Sequence, residues 1–332
     1  MLTVAILILI CLLLVSCGSK SKSFSNSAFL MGTVTTEKIY CDSTVDGERV
    51  LNELEKCISD CEKEISWRIA GSDTAELNET GRTYIHGSED LWVNMIELYK
   101  DTCGRFDITI GKLTTLWNIG TEDARVPSEE EISHALLYVD GSKLKLDREK
   151  GEVTCGEEQF IDLGAVGKGY ACDKAREVLV SNNIEGACIA VGGSILCYGE
   201  HEGKETYSIG IRDPNGDIND CMAVIDVSDC VVSTSGDYEH VFEKNGCKYH
   251  HIIDSKTGHP VTTDLTSVTV ISKSGILSDA LSTACFIVGE ENGRELLEKY
   301  ESEGIFVYKD MGVSGTDGIN IKLKGEYHEK SD

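Results

Sequence analysis

Apolar residues recur every three to four positions between Asp46 and Trp67, placing Val50, Leu54, Ile58, Cys61 and Ile65 on one side, and this spacing predicts an amphipathic helix. A second helix is expected from Ser88, an N-cap residue followed by Glu89 and Asp90, through Leu91, Met95 and Leu98 to a stop near Gly104. Ahead of both, the threonine-rich alternation of residues 29–41 reads as a strand, and a third helix is expected over residues 169–183. Short β-type runs then crowd residues 187–191, 195–198, 207–212, 222–227, 230–233 and 266–272, before two more helices at 276–288 and 290–300. Helices early, strands clustered later and helices again predict an α+β fold rather than alternating βαβ units. With no internal repeat and only three prolines, nothing marks an interdomain linker, so one domain is expected over residues 29–325.

The N-terminus breaks this pattern. Residues 1–16 are uncharged and almost wholly apolar, which reads as an export signal, and Leu14-Val-Ser-Cys17-Gly18 resembles a bacterial lipobox in which Cys17 is acylated after cleavage. The basic stretch that usually opens such a signal is missing, so a plain transmembrane anchor stays open. Residues 17–28, rich in serine, are expected to be a lipidated cysteine and a flexible tether. Removing residues 1–16 takes away no charge, so the net charge stays at −26, which argues against nucleic acid and makes any anion site a local exception. Of the fourteen cysteines, twelve remain after Cys11 and Cys17. None forms a Cys-x-x-Cys pair and several, such as Cys188 and Cys285, sit in apolar runs, so they are expected to stay free.

Candidate chemistry centres on residues 161–173, where Asp162, Gly164, Gly167, Lys168 and Gly169 lie between a strand-like start and a helix-like continuation. Such a turn suits a phosphate-bearing ligand, although the spacing is neither a Walker loop nor a dinucleotide turn, and taken alone it is more often a tight strand-to-helix connection. Asp107 and Thr109 are expected on one face of a strand-like piece, and Gly192-Gly193 ends another strand. Asp279 and Thr283, four apart on a helix, face the same side, and oxygen ligands of this kind suit a hard cation. Asp279 can instead serve only its helix N-terminus, and Asp254 only a turn. His250 and His251 are adjacent, so in a strand one faces inward and the other outward.

Taken together, Met31-Gly-Thr33, Phe106-Asp107-Ile-Thr-Ile-Gly111 with Leu116-Trp117, Asp162-Leu-Gly-Ala-Val-Gly-Lys-Gly-Tyr170, Gly192-Gly193, Thr234-Ser-Gly-Asp-Tyr238, His251-Ile-Ile-Asp254 and Asp279-Ala-Leu-Ser-Thr283 resemble, in order, the motifs of the ApbE family of flavin transferases. The resemblance implies an α+β, tunnelling-fold-like architecture with an FAD cleft, and transfer of FMN from FAD to a threonine of an acceptor redox protein with release of AMP. It further implies that Mg2+ is held by the Ala165 carbonyl, Asp279 and Thr283. Met31, Trp67, Asp107, Asp162, Lys168 and Ile253, with Arg105 and Phe106, would line the FAD, and His251 would be the general base. Trp67 stands where the family commonly has tyrosine, and Arg105 where a small residue is usual. A lipid anchor at Cys17 would place the protein on the extracytoplasmic face of the cell membrane. Two alternatives share these residues: an FAD pyrophosphatase, in which water replaces threonine, and a flavin-binding lipoprotein without chemistry, which would need neither base nor metal.

Overall fold

The computed structural model describes residues 22–217 and 220–330, so the expected export signal and Cys17 lie outside the described residues. The first strands, β1 (Lys22–Leu30) and β2 (Thr33–Cys41), form a hairpin on the two-residue turn Met31-Gly32. Residues 22–28, expected to be tether, are therefore part of the sheet: Phe24 packs on Gly47, where an added Cβ would come within 2.2 Å of its ring. The domain begins at least seven residues earlier than the alternation suggested, because a serine-rich edge strand carries little apolar signal.

Helix α1 (Gly47–Ile65) follows, capped by Asp46, whose side chain accepts from the Arg49 amide at 3.2 Å. Its apolar face is buried as the spacing predicts, each fully buried Leu or Ile contributing roughly 1.5–3 kcal/mol. Then come α2 (Asp73–Thr80), β3 (Arg82–Tyr84), α3 (Glu89–Asp101), α4 (Gly111–Trp117), α5 (Glu129–Leu136), β4 (Lys145–Asp147) and β5 (Glu152–Thr154), with β3, β5 and β4 making a small sheet. Residues 104–110, read as strand-like, are instead a run of turns.

Helix α6 (Gly167–Ser181) leads into β6 (Gly186–Val191), β7 (Ser194–Gly199), β8 (Tyr207–Arg212), β9 (Cys221–Val227), β10 (Cys230–Gly236), the hairpin β11 (Val241–Lys244) and β12 (Cys247–His250), and β13 (Leu265–Ser272). The chain closes with α7 (Gly275–Val288), α8 (Glu290–Lys299), β14 (Glu303–Tyr308), β15 (Gly312–Gly315), β16 (Lys322–Leu323) and β17 (His328–Glu329). Nine strands form the main sheet in the order β1-β2-β6-β7-β10-β13-β14-β15-β17, so the domain also runs past the expected end at residue 325. Helix α6 packs against both α1 and α7, with α6 and α7 on one face of this sheet over the principal core; β8, β9 and β16 cover a second core on the other face. Leu113, Trp117, Ile132, Ala135 and Ile253 make a third, smaller cluster around α4 and α5. The fold is α+β.

Candidate active site at the crossing of two helix starts

Helices α6 and α7 meet at their first turns. A Cβ on Gly169 would lie 1.9 Å from the Gly275 carbonyl oxygen, and one on Gly275 would lie 2.2 Å from that of Gly169, so only glycine permits the approach. The two helices cap each other. Asp173 of α6 accepts from the Gly275 and Ile276 amides at 2.6 and 2.9 Å, while Asp279 of α7 accepts through Oδ2 from the Gly169 amide at 2.9 Å. Each carboxylate thereby serves the positive end of the other helix. Gly169 is thus explained by helix packing rather than by the approach of an anion.

Asp279 has a second oxygen to spare for charge. Its Oδ1 lies 3.5 Å from Lys168 Nζ, and its side chain is only 3% exposed. The Asp279 carboxylate holds the Lys168 ammonium above its ordinary pKa, so the lysine stays protonated across the physiological range. One turn along α7, Thr283 Oγ1 is 2.9 Å from Ser235 Oγ, which also meets Ser282 Oγ at 2.8 Å. Among the described residues no group of three or more His, Cys, Asp and Glu is arranged to hold a metal. One buried carboxylate, a hydroxyl and the carbonyl of half-buried Ala165 still suit Mg2+, which takes one or two carboxylates and completes its shell with water or substrate oxygens. The donor set fits.

The other expected residues take up distinct jobs. Met31 sits in the hairpin turn with φ 52°, a left-handed conformation costing about 1–2 kcal/mol, and its amide donates to Glu62 Oε2 at 3.0 Å. Its terminal methyl lies 3.4 Å from where a Gly167 Cβ would be, which brings the hairpin tip to the glycine turn. Asp162 accepts from Thr114 Oγ1 at 2.8 Å and from the Gly164 amide at 2.9 Å, which ties the turn to α4. Trp67 packs edge-on to Phe160, lies under the Arg68 guanidinium, and keeps an indole N–H with no partner. A buried donor left open is where a ligand acceptor fits.

Asp107, Phe106 and Ile253 are buried. Asp107 accepts from the Thr109 amide and hydroxyl and from the Gly141 amide, each at 2.8 Å, so its carboxylate holds the 104–110 turns in place. The expectation that Asp107 and Thr109 share a strand face is corrected: they touch because a turn folds one onto the other. Arg105 donates to Asp254 Oδ2 at 3.0 and 2.7 Å, and Asp254 Oδ1 accepts from the Lys256 amide, so Asp254 both shapes its turn and anchors the arginine.

The histidine pair departs from strict alternation because β12 stops at His250. His250 is buried: its Nε2 donates to the Val261 carbonyl at 3.0 Å, its Nδ1 accepts from the Ile252 amide at 3.3 Å, and its ring meets Phe286 edge-on. It is a core residue. His251 is half-buried in the turn that follows, its amide donating to the His240 carbonyl and its ring edge-on to His240 at 5.1 Å. Its Nδ1 has no partner, and burial, with His240 and Lys168 nearby, pulls its pKa down to about 3. His251 is therefore neutral at physiological pH, well below the ordinary histidine value expected from sequence.

Sequence reasoning gave no individual role to the residues that hold these together, although Asp173 and Ser235 lie in segments it singled out. Glu62, Thr114, Asp173 and Ser235 act on partners 31 to 102 positions away and Gly275 fixes the helix crossing, and no local spacing signals that. Glu239, whose carboxyl is pushed above its ordinary range by burial despite the nearby Lys168, likewise carried no local signal.

Comparison with known proteins bears on the family and the fold. The ApbE family model matches residues 31–306. A "FAD:protein FMN transferase" of Treponema pallidum is 30% identical over 96% of this chain and 94% of its own length, and one of Haemophilus influenzae is 30% identical over 86% of each. Among solved structures, the ApbE protein of Thermotoga maritima superposes with a TM-score of 0.80 at 28% identity, covering 90% of this chain and 98% of its own. The flavin transferase ApbE of Vibrio cholerae superposes with a TM-score of 0.77 at 25% identity, over 92% and 98%. On motif order, fold and length, the chain belongs to the ApbE family.

Proposed function

We propose that this protein transfers FMN from FAD to a threonine hydroxyl of an acceptor protein and releases AMP. The observation that carries the reading is Asp279, buried at the helix crossing with one oxygen on Gly169 and the other facing Lys168, one turn from Thr283. A carboxylate needed only as a cap would have no use for a lysine on its outer oxygen.

The Ala165 carbonyl, Asp279 and Thr283 would hold Mg2+, which when bound supplies charge neutralisation for a diphosphate and lowers the cost of the leaving phosphate. Lys168 adds fixed positive charge on the same side, and the open Trp67 N–H offers a donor to the ligand. The threonine oxygen attacks the phosphorus on the FMN side, the bond from that phosphorus to the AMP oxygen breaks, and the hydroxyl proton goes to His251. The free Nδ1 and neutral ring of His251 leave it in the proton-accepting form. Burial depresses His251 most, with the His240 and Lys168 charges adding to it, and a diphosphate beside Lys168 would offset only the lysine's part. Little covalent work falls to the protein, so positioning and electrostatics dominate.

The apolar residues 1–16 and Cys17 extend the proposal to a lipid-anchored, extracytoplasmic enzyme acting on an exported redox protein. The test is AMP release from FAD and magnesium with and without an acceptor. Release that depends on the acceptor and matches bound flavin supports transfer, whereas equal release of AMP and free FMN without it identifies water as the nucleophile.

A further inference from the structure

Four side chains line up across the main sheet. Strand register puts Lys38 opposite Cys188, Cys188 opposite Cys197, and Cys197 opposite Cys230, so β2, β6, β7 and β10 each add one member on the same face. Exposure falls along the row: Lys38 is exposed, Cys188 half-buried, and Cys197 and Cys230 are buried. All three cysteines are free thiols.

The two neighbours of Cys197 are not equivalent. Val191 and Ser194 close the two-residue loop between β6 and β7 as a hydrogen-bonded pair, and pairs alternate from there, which makes Cys188–Cys197 a non-hydrogen-bonded pair. Such pairs hold their Cα atoms about 4.5 Å apart, within the range of about 4.4–6.8 Å that a disulfide spans. On the other side of β7 the alternation makes Cys197–Cys230 a hydrogen-bonded pair with wider spacing.

We propose that Cys188 and Cys197 form a thiol–disulfide site, with Cys188 attacking an external disulfide and Cys197 resolving it. The Cys188 thiolate attacks one sulfur of a small disulfide, a mixed disulfide forms, and one thiolate leaves. The Cys197 thiolate then attacks the Cys188 sulfur, closing the cross-strand bond and expelling the second. Two protein thiols and one external disulfide become one protein disulfide and two external thiols. A hydrogen bond from Cys197, together with the Lys38 ammonium, pulls the Cys188 thiol below its ordinary range in spite of burial, which favours attack from the accessible end of the row. The bond would staple the β6–β7 hairpin, whose tip at Gly192-Gly193 packs on Thr33 and accepts from the Thr234 amide.

Residues 177–204 contain Cys188 and Cys197, and no lysine or arginine before Lys204, so trypsin leaves both on one peptide. The folded protein is incubated with oxidised glutathione, quenched in acid, alkylated and digested for mass spectrometry. The expected result is that this peptide loses both alkylation sites and two hydrogens, that dithiothreitol restores them, and that Cys230→Ser leaves the outcome unchanged while Cys188→Ser abolishes it. The proposal is overturned if the peptide stays doubly alkylated under conditions that glutathionylate the exposed Cys103 or Cys247, if Cys188 stops at the mixed disulfide, or if Cys197 links to Cys230 instead. If Cys188→Ser fails to fold, the wild-type peptide decides alone.

Discussion

His251 and His250 show how much a single position decides. His251 keeps an Nδ1 without a partner, whereas both ring nitrogens of His250 are used inside the core. His251→Asn should therefore lower flavin transfer by roughly 10²- to 10⁴-fold with FAD affinity nearly unchanged, measured as single-turnover rate against fluorescence titration of FAD. His250→Asn should leave the rate per folded molecule intact but cost about 1–3 kcal/mol of stability, seen in urea unfolding, because it strands buried polar groups. Asp279 carries two roles that a single deletion would confuse. Asp279→Asn keeps an oxygen for the Gly169 amide and removes the charge facing Lys168, so magnesium-dependent turnover should be lost while the urea midpoint moves little. Turnover at ordinary magnesium in this variant would remove Asp279 from the site. The type and order of these residues were legible in the sequence through the motif resemblance; which nitrogen is free and which oxygen is spent were not, since both depend on partners far along the chain.

Strand β2 carries a cost that no motif announced. Glu37 is 1% exposed, neither carboxylate oxygen has a partner, and burial, reinforced by Glu55, raises its pKa to about 7. A carboxyl raised in the folded state binds its proton more tightly there than in the unfolded chain. Stability linked to it is thus fully present below about pH 4.5 and is lost as pH rises to about 7. Glu37→Met should remove that loss, with a gain of up to roughly 3 kcal/mol above pH 7 that shrinks toward pH 4.5. Urea unfolding of both proteins across that range measures it, and a pH-independent difference would contradict the assignment. Among elements generally, long periodic segments such as α1 and the apolar strands from β6 to β10 were readable because their pattern comes from the core they cover. β1 and the two-residue strands β16 and β17 were not, because serine-rich or very short strands take their conformation from a neighbour's register rather than from their own composition.

At the scale of the whole molecule, the α+β class followed from the order of elements, but the layering did not. A nine-stranded sheet with helices on one face and a three-stranded sheet on the other requires pairings such as β2 with β6 that span more than a hundred residues. The candidate site draws on four distant parts of the chain: the hairpin tip, the start of α6, the start of α7 and the end of β12. The proposed attachment to a membrane would rest on residues 1–17 alone. Cys17→Ala should move the protein from the membrane to the soluble fraction after cell lysis while the domain retains its activity; retention in the membrane would favour an uncleaved anchor instead.

Transfer itself is read most directly on the acceptor. A purified exported redox protein, incubated with this enzyme, FAD and magnesium, should yield one tryptic peptide heavier by an FMN phosphoryl group on a threonine, with one AMP released per peptide modified and none formed by Asp279→Asn. Unmodified acceptor accompanied by free FMN and AMP in equal amounts would contradict the account and make the protein a hydrolase of FAD.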